Sequence, residues 1–134
     1  MKLILDTDAL SATRRPERAP RVAAWLGSQR EEDLYFSVVS LGEIERGIAL
    51  QSPRQPELAA DLRSWIDGTV RLFADRVLPF GAEEARIWGR LSARLGHDGA
   101  DLQIAATALA QGAVVVTGNV SDFEPAGVEV ENPF

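Results

Sequence analysis

Leu3-Ile4-Leu5-Asp6-Thr7-Asp8 is the stretch on which the reading of the fold turns. Three apolar residues with no polar alternation describe a strand buried on both faces. The acid that follows ends the strand and marks a turn or helix cap. The same grammar recurs down the chain. Leu34-Tyr35-Phe36-Ser37-Val38-Val39 reads as a second strand, rich in aromatic and β-branched residues. Val77-Leu78-Pro79-Phe80 reads as a short third strand, Val114-Val115-Val116 as a fourth and Val128-Glu129-Val130 as a candidate fifth.

Helical patterns fill the intervals. Residues 9–13 predict one helical turn before the break Arg14-Arg15-Pro16, and Val22, Ala23, Trp25 and Leu26 share a face that ends near Gly27. Ser40-Leu41-Gly42-Glu43 fits a capping box, with Leu41, Ile44, Ile48 and Ala49 following at helical spacing until Ser52-Pro53. Leu58, Leu62, Trp65, Ile66, Thr69 and Phe73 mark the next helix, and Trp88, Leu91 and Leu95 one at 82–96. Asp98 offers a cap for a last helix at 99–111, closed by Gly112. Strands alternating with helices predict an α/β fold: a central, mostly parallel β-sheet flanked by helices on both faces. At 134 residues the chain reads as one domain, 1–134.

Composition narrows the chemistry. There is no cysteine and a single histidine, His97. This excludes thiolate metal sites and cysteine nucleophiles, and leaves a Ser-His-Asp triad resting on one residue. No glycine-rich nucleotide loop is present. No apolar run approaches the ~20 residues that span a bilayer, so the expectation is a cytoplasmic protein without membrane contact. The net charge is −6, which argues against a general nucleic-acid coat. It is compatible with acids clustered around a cation.

Four acids stand at the edges of apolar segments: Asp6 after the first strand, Glu43 at the start of a helix, Asp101 ahead of Leu102-Gln103-Ile104-Ala105-Ala106, and Asp122 beyond Val114-Val115-Val116. Each alone also reads as a helix cap, a first-turn carboxylate or an Asx turn. Together they fall on the carboxyl edge of a parallel sheet, where ligands bind. Carboxylates about 5 Å apart repel by roughly 3 kcal/mol at an effective dielectric of 20. The only lysine is Lys2, and no Lys or Arg follows Arg94. Oxygen ligands suit Mg2+ or Mn2+, and such a site implies hydrolysis of phosphodiesters by metal-activated water. Arg86, Arg90 and Arg94 share one helix face, read as a solvated outer surface, with a phosphate-tracking ridge as the alternative.

These segments resemble a family. Leu5-Asp6-Thr7-Asp8-Ala9-Leu10 looks like the opening motif of PIN-domain ribonucleases, and Ser37-Val38-Val39-Ser40-Leu41-Gly42-Glu43-Ile44 like their second. Asp101-Leu102-Gln103-Ile104-Ala105-Ala106-Thr107-Ala108 and Thr117-Gly118-Asn119-Val120-Ser121-Asp122-Phe123 are similar to the third and fourth. The likeness runs in order along the whole chain and extends to the VapC/FitB-type toxins of bacterial type II toxin–antitoxin systems. It implies a single PIN domain and an endoribonuclease that uses Mg2+ or Mn2+. Asp6, Glu43, Asp101 and Asp122 would be both the catalytic and the metal-binding acids, with Thr7, Asn119 and Thr117 orienting groups around them. It also implies a homodimer, an RNA substrate and a cognate VapB/FitA-like antitoxin that inserts a C-terminal segment near the acids. DNA would be contacted only through that antitoxin. The chain departs from the family pattern in having Asp8 for the common Asn, Gly118 for the common Arg and Gln103 for an apolar residue. Asp6-Thr7-Asp8-Ala9-Leu10 also resembles the opening of haloacid-dehalogenase phosphatases, in which Asp6 would be a nucleophile. A further alternative is a catalytically weak PIN-like binding module.

Overall fold

The computed structural model describes residues 1–134. Five strands form one sheet: β1 (Leu3–Leu5), β2 (Leu34–Ser37), β3 (Val77–Leu78), β4 (Val114–Val116) and β5 (Val130–Glu131), in the order β3-β2-β1-β4-β5. Every pairing is parallel. Seven α-helices connect them: α1 (Thr7–Ala12), α2 (Pro20–Gly27), α3 (Val38–Gln51), α4 (Pro56–Phe73), α5 (Ala82–Leu95), α6 (Ala100–Gln111) and α7 (Val120–Phe123).

The two-residue period of a strand divides the core. Leu3 and Leu5 of β1 join Phe36 and Val116 on one face, beneath α1, α3 and α4. Ile4 and Val115 point to the other, beneath α5 and α6. Both faces are therefore covered, and β1, at the centre, is buried throughout. The all-apolar reading of Leu3-Ile4-Leu5 has this cause. α6 is buried on nearly every side, from Leu102 and from Ile104 through Ala108. No helix is long and apolar enough to cross a membrane.

The structure moves one boundary that matters. β2 ends at Ser37, and Val38 and Val39 begin α3 rather than extend the strand. Ser37 is the N-cap, its hydroxyl accepting the Val39 N–H at 3.0 Å. The expected capping box from Ser40 to Glu43 does not form. Ser40 is fully buried inside the helix and Glu43 lies in its second turn, not at its start. The strand propensity of the two valines gives way because this register places Ser40, Ile44 and Ile48 on one inward face. Asp98 likewise caps nothing: Gly99 occupies the N-cap of α6 without a side-chain bond.

Candidate functional site

The register aligns the carboxyl ends of the three central strands. Leu5 sits beside both Phe36 and Val116, so the residues one step beyond, Asp6, Ser37 and Thr117, form a row across the sheet edge. All three are buried although polar. A buried polar group requires partners, and here the partners are one another's neighbours. Asp6 caps α1, its Oδ1 accepting the Ala9 N–H at 2.8 Å. The Thr117 hydroxyl donates to Asp6 Oδ2 at 2.5 Å and accepts the Asn119 N–H at 2.9 Å. The first turn of α1 then meets α3: the Thr7 hydroxyl lies 2.6 Å from Glu43 Oε1 and 2.9 Å from the Ser40 hydroxyl. Asn119 Nδ2 donates to Asp8 Oδ2 at 3.3 Å.

Asp101 stands in the first turn of α6 and Asp122 in α7, beyond β4. Both carboxylates belong to the same electrostatic cluster. Burial pushes Asp6 up to about 6 from an ordinary 3.8, held back by the Thr117 and Ala9 hydrogen bonds and reinforced by Asp8 and Asp101. Asp101 is raised first by burial, then by Asp122, Glu43 and Asp8, while His97 opposes the rise. Five carboxylates therefore feel one another, and none of them takes part in an ion pair. Hydrogen bonds from Thr117 and Ala9 and the nearby His97 offset the cost of gathering them only in part, since Asp6 and Asp101 both remain raised.

The donor set suits a hard divalent cation: carboxylate oxygens on several elements, threonine hydroxyls and no nitrogen or sulfur ligand. No three of the acids are already disposed as a closed ligand cage. Asp6 is buried and held through both oxygens, whereas Glu43 and Asp122 are exposed, Glu43 with a hydrogen bond from Thr7. Mg2+ asks for no full protein cage, because it keeps several waters and takes one or two carboxylates. The residues present fit such an ion on that ground.

Sequence reasoning placed Asp6, Glu43, Asp101 and Asp122 at one edge, and the structure brings them together there. It gave Asp8 too small a part, since Asp8 holds Asn119 and raises both Asp6 and Asp101. It assigned Ser40 to a cap, whereas Ser40 meets Thr7. His97 is exposed, its Nδ1 accepting the Gly99 N–H at 3.4 Å. Gly118 has a neighbour that no local pattern reveals. A Cβ there would stand 3.1 Å from the Phe134 ring, so the terminal aromatic fills the space a side chain would need.

The phosphatase alternative meets two obstacles. Asp6 is buried with both oxygens engaged in hydrogen bonds, unlike an exposed nucleophile. Lys2 precedes β1 at the opposite edge of the sheet, where it bonds Gln111 Oε1 at 2.7 Å and lies over the Tyr35 ring.

Comparison with known proteins identifies the family and the fold. A family model described as PIN domain matches residues 3–124. VapC ribonuclease Y4jK of Sinorhizobium fredii is 34% identical over 138 residues, covering 98% of this chain and 97% of that one. Toxin FitB of Neisseria gonorrhoeae is 34% identical over 139 residues, covering 98% of each. The crystal structure of FitAcB from the same organism superposes with a TM-score of 0.84 at 34% identity, over 98% of this chain and 97% of that one.

Proposed function

Since this chain belongs to the PIN-domain family, with VapC- and FitB-type toxins among its relatives, we propose that it is a metal-dependent endoribonuclease and the toxin of a type II toxin–antitoxin pair. The observation that carries the reading is that Asp6 and Asp101 are both raised by burial and by neighbouring carboxylates, with no Lys or Arg paired to any acid of the cluster. Asp6, Glu43, Asp101 and Asp122 would hold Mg2+ or Mn2+. Such an ion supplies a Lewis acid that makes a water more acidic and offsets charge on the phosphodiester. The protein's part is orientation. Thr117 fixes Asp6, Thr7 restrains Glu43, and Asn119 restrains Asp8. α6, buried around its circumference, fixes the backbone that presents Asp101.

The partner under this reading is a VapB/FitA-like antitoxin, and the active form a homodimer. An acidic cleft whose carboxylates are paired with no Lys or Arg attracts an inserted guanidinium, which satisfies two carboxylate oxygens at once. The α2 residues Val22, Trp25 and Leu26 offer such a partner little apolar surface, because Val22 is buried and the other two pack against the core beneath α1, α3 and α4.

The test is RNA cleavage by wild type and by Asp101→Asn, with Mg2+ or Mn2+ and with excess EDTA. Asp101→Asn keeps the shape of the side chain and removes a ligand charge. It should leave the fold intact and abolish most cleavage. Wild-type cleavage undiminished in EDTA would overturn the reading.

A further inference from the structure

α5 carries a face for which the site so far has no use. From Ala85 to His97 the chain holds three arginines, one histidine and no acid, in a protein of net charge −6. Elsewhere charges of both signs interleave, as where Arg63 of α4 bonds Glu45 of α3 at 2.6 Å and lies 3.7 Å from Asp67. On α5, Leu91 is buried and Ile87, Trp88 and Leu95 pack against the α6 core. That turns Arg86, Arg90 and Arg94 outward, where all three are exposed and none is in an ion pair. Like charges four residues apart destabilise a helix by a few tenths of a kcal/mol per pair; Glu83 and Glu84 open the same helix, yet no carboxylate lies within 4 Å of any of the three guanidiniums.

Geometry gives the file a direction. At about 1.5 Å rise per residue, arginines four apart stand about 6 Å apart along the axis, comparable to successive phosphates of an extended strand. Ala85, Gly89 and Ala93 run parallel to them, so the ground beside the guanidiniums is flat. A Cβ at Gly89 would meet nothing within 4 Å. The file ends at Arg94, and Gly96, in the left-handed conformation, turns the chain through His97 into α6, whose first turn carries Asp101. Arginine binds phosphate bidentately, and unpaired exposed guanidiniums suit that task.

We infer that Arg86, Arg90 and Arg94 form a rail for the phosphodiester backbone of single-stranded RNA leading into the carboxylate site, an inference that rests on the nuclease reading. The rail contributes affinity without sequence preference, because it touches phosphates and not base edges.

The experiment compares wild type with the triple variant Arg86→Ala, Arg90→Ala, Arg94→Ala. Steady-state cleavage is measured on a long single-stranded RNA and on an oligonucleotide of three or four nucleotides. Binding is measured across a salt series in the Asp101→Asn background. The expected result is a KM raised at least tenfold on the long RNA with kcat preserved, and little change on the short one. The slope of log affinity against log salt should fall by about 2, three phosphate contacts at roughly 0.7 each. Arg→Lys at the three positions should restore most of the slope. An unchanged slope and KM alongside active, metal-dependent wild type would overturn the rail and leave the nuclease reading intact. An equal loss on long and short RNA would also overturn it, by showing a general electrostatic effect. A triple variant that changes oligomeric state would identify the face as an interface between copies, again against the rail. If the triple variant misfolds, each single variant should lower the slope by about one third as much, and none doing so overturns the proposal. Wild type that neither binds nor cleaves RNA would remove the nuclease reading, and the rail with it.

Discussion

Metal-free protein should gain stability as pH falls from 7.5 to 5, the reverse of ordinary acid destabilisation. The perturbation acts on Asp6. Its carboxyl is held at about 6 in the folded chain against 3.8 when solvated, so the folded state binds the proton more tightly. For such a group stability is gained as pH drops through 6 and lost as pH rises through it. At pH 7.5 the group is ionised in both states and burial of the charge opposes folding in full. At pH 5 the native group is mostly protonated and the unfolded one is not. That difference is worth about 1.4 kcal/mol. For a chain of this length it raises the melting temperature by about 5 °C. The rise in Asp101 acts in the same direction. The assay is thermal melting in EDTA at both pH values, with Asp6→Asn as the reference. Asn can still cap α1 and has nothing to titrate, so the comparison isolates the carboxyl. If Asp6→Asn gains as much from acidification as wild type does, the burial argument is wrong.

Two further outcomes follow from the same site. Mn2+ at a hundredfold excess over Kd should stabilise the protein at pH 7.5 by about 2.7 kcal/mol, read as a concentration-dependent rise in melting temperature. No rise at millimolar metal would mean that the carboxylates do not share a cation. Gly118→Arg should cost about 1 kcal/mol by displacing the Phe134 ring 3.1 Å from its Cβ. Combining it with Phe134→Ala should recover most of that in urea unfolding, and strictly additive effects would refute the contact.

Sequence carried the sheet well because β1 is buried throughout and β4 nearly so, which leaves their apolar runs unbroken. It placed Asp6, Asp101 and Asp122 beside element ends, whereas Glu43 lies in the second turn of α3 and not at its start. It failed where the deciding contact is distant. Ser37 caps the helix and Ser40 is buried within it, on the inward face with Ile44 and Ile48 and bonded by Thr7 from 33 residues away. Local spacing favours the wrong one, since Ser40 and Glu43 imitate a reciprocal cap. The row Asp6, Ser37 and Thr117 is likewise invisible until the register is known, because it arises from strands aligned across the sheet. The contact of Phe134 with Gly118 crosses from the last residue to the β4 loop and has no periodic signature.

The central position of β1 governs the order of assembly. Its two neighbours are β2, made early, and β4, which follows it by more than a hundred residues. Contacts of such sequence separation form late, because their loop-closure entropy is met before they repay it. During synthesis β1 has β2 to pair with but must wait for Val114–Val116. Thr117, which restrains Asp6 across 111 residues, arrives later still, and Asp122 after that. A nascent chain can therefore hold most of its helices while its cluster of acids is still incomplete. The row at the sheet edge closes only when β4 and the turn beyond it have docked beside β1.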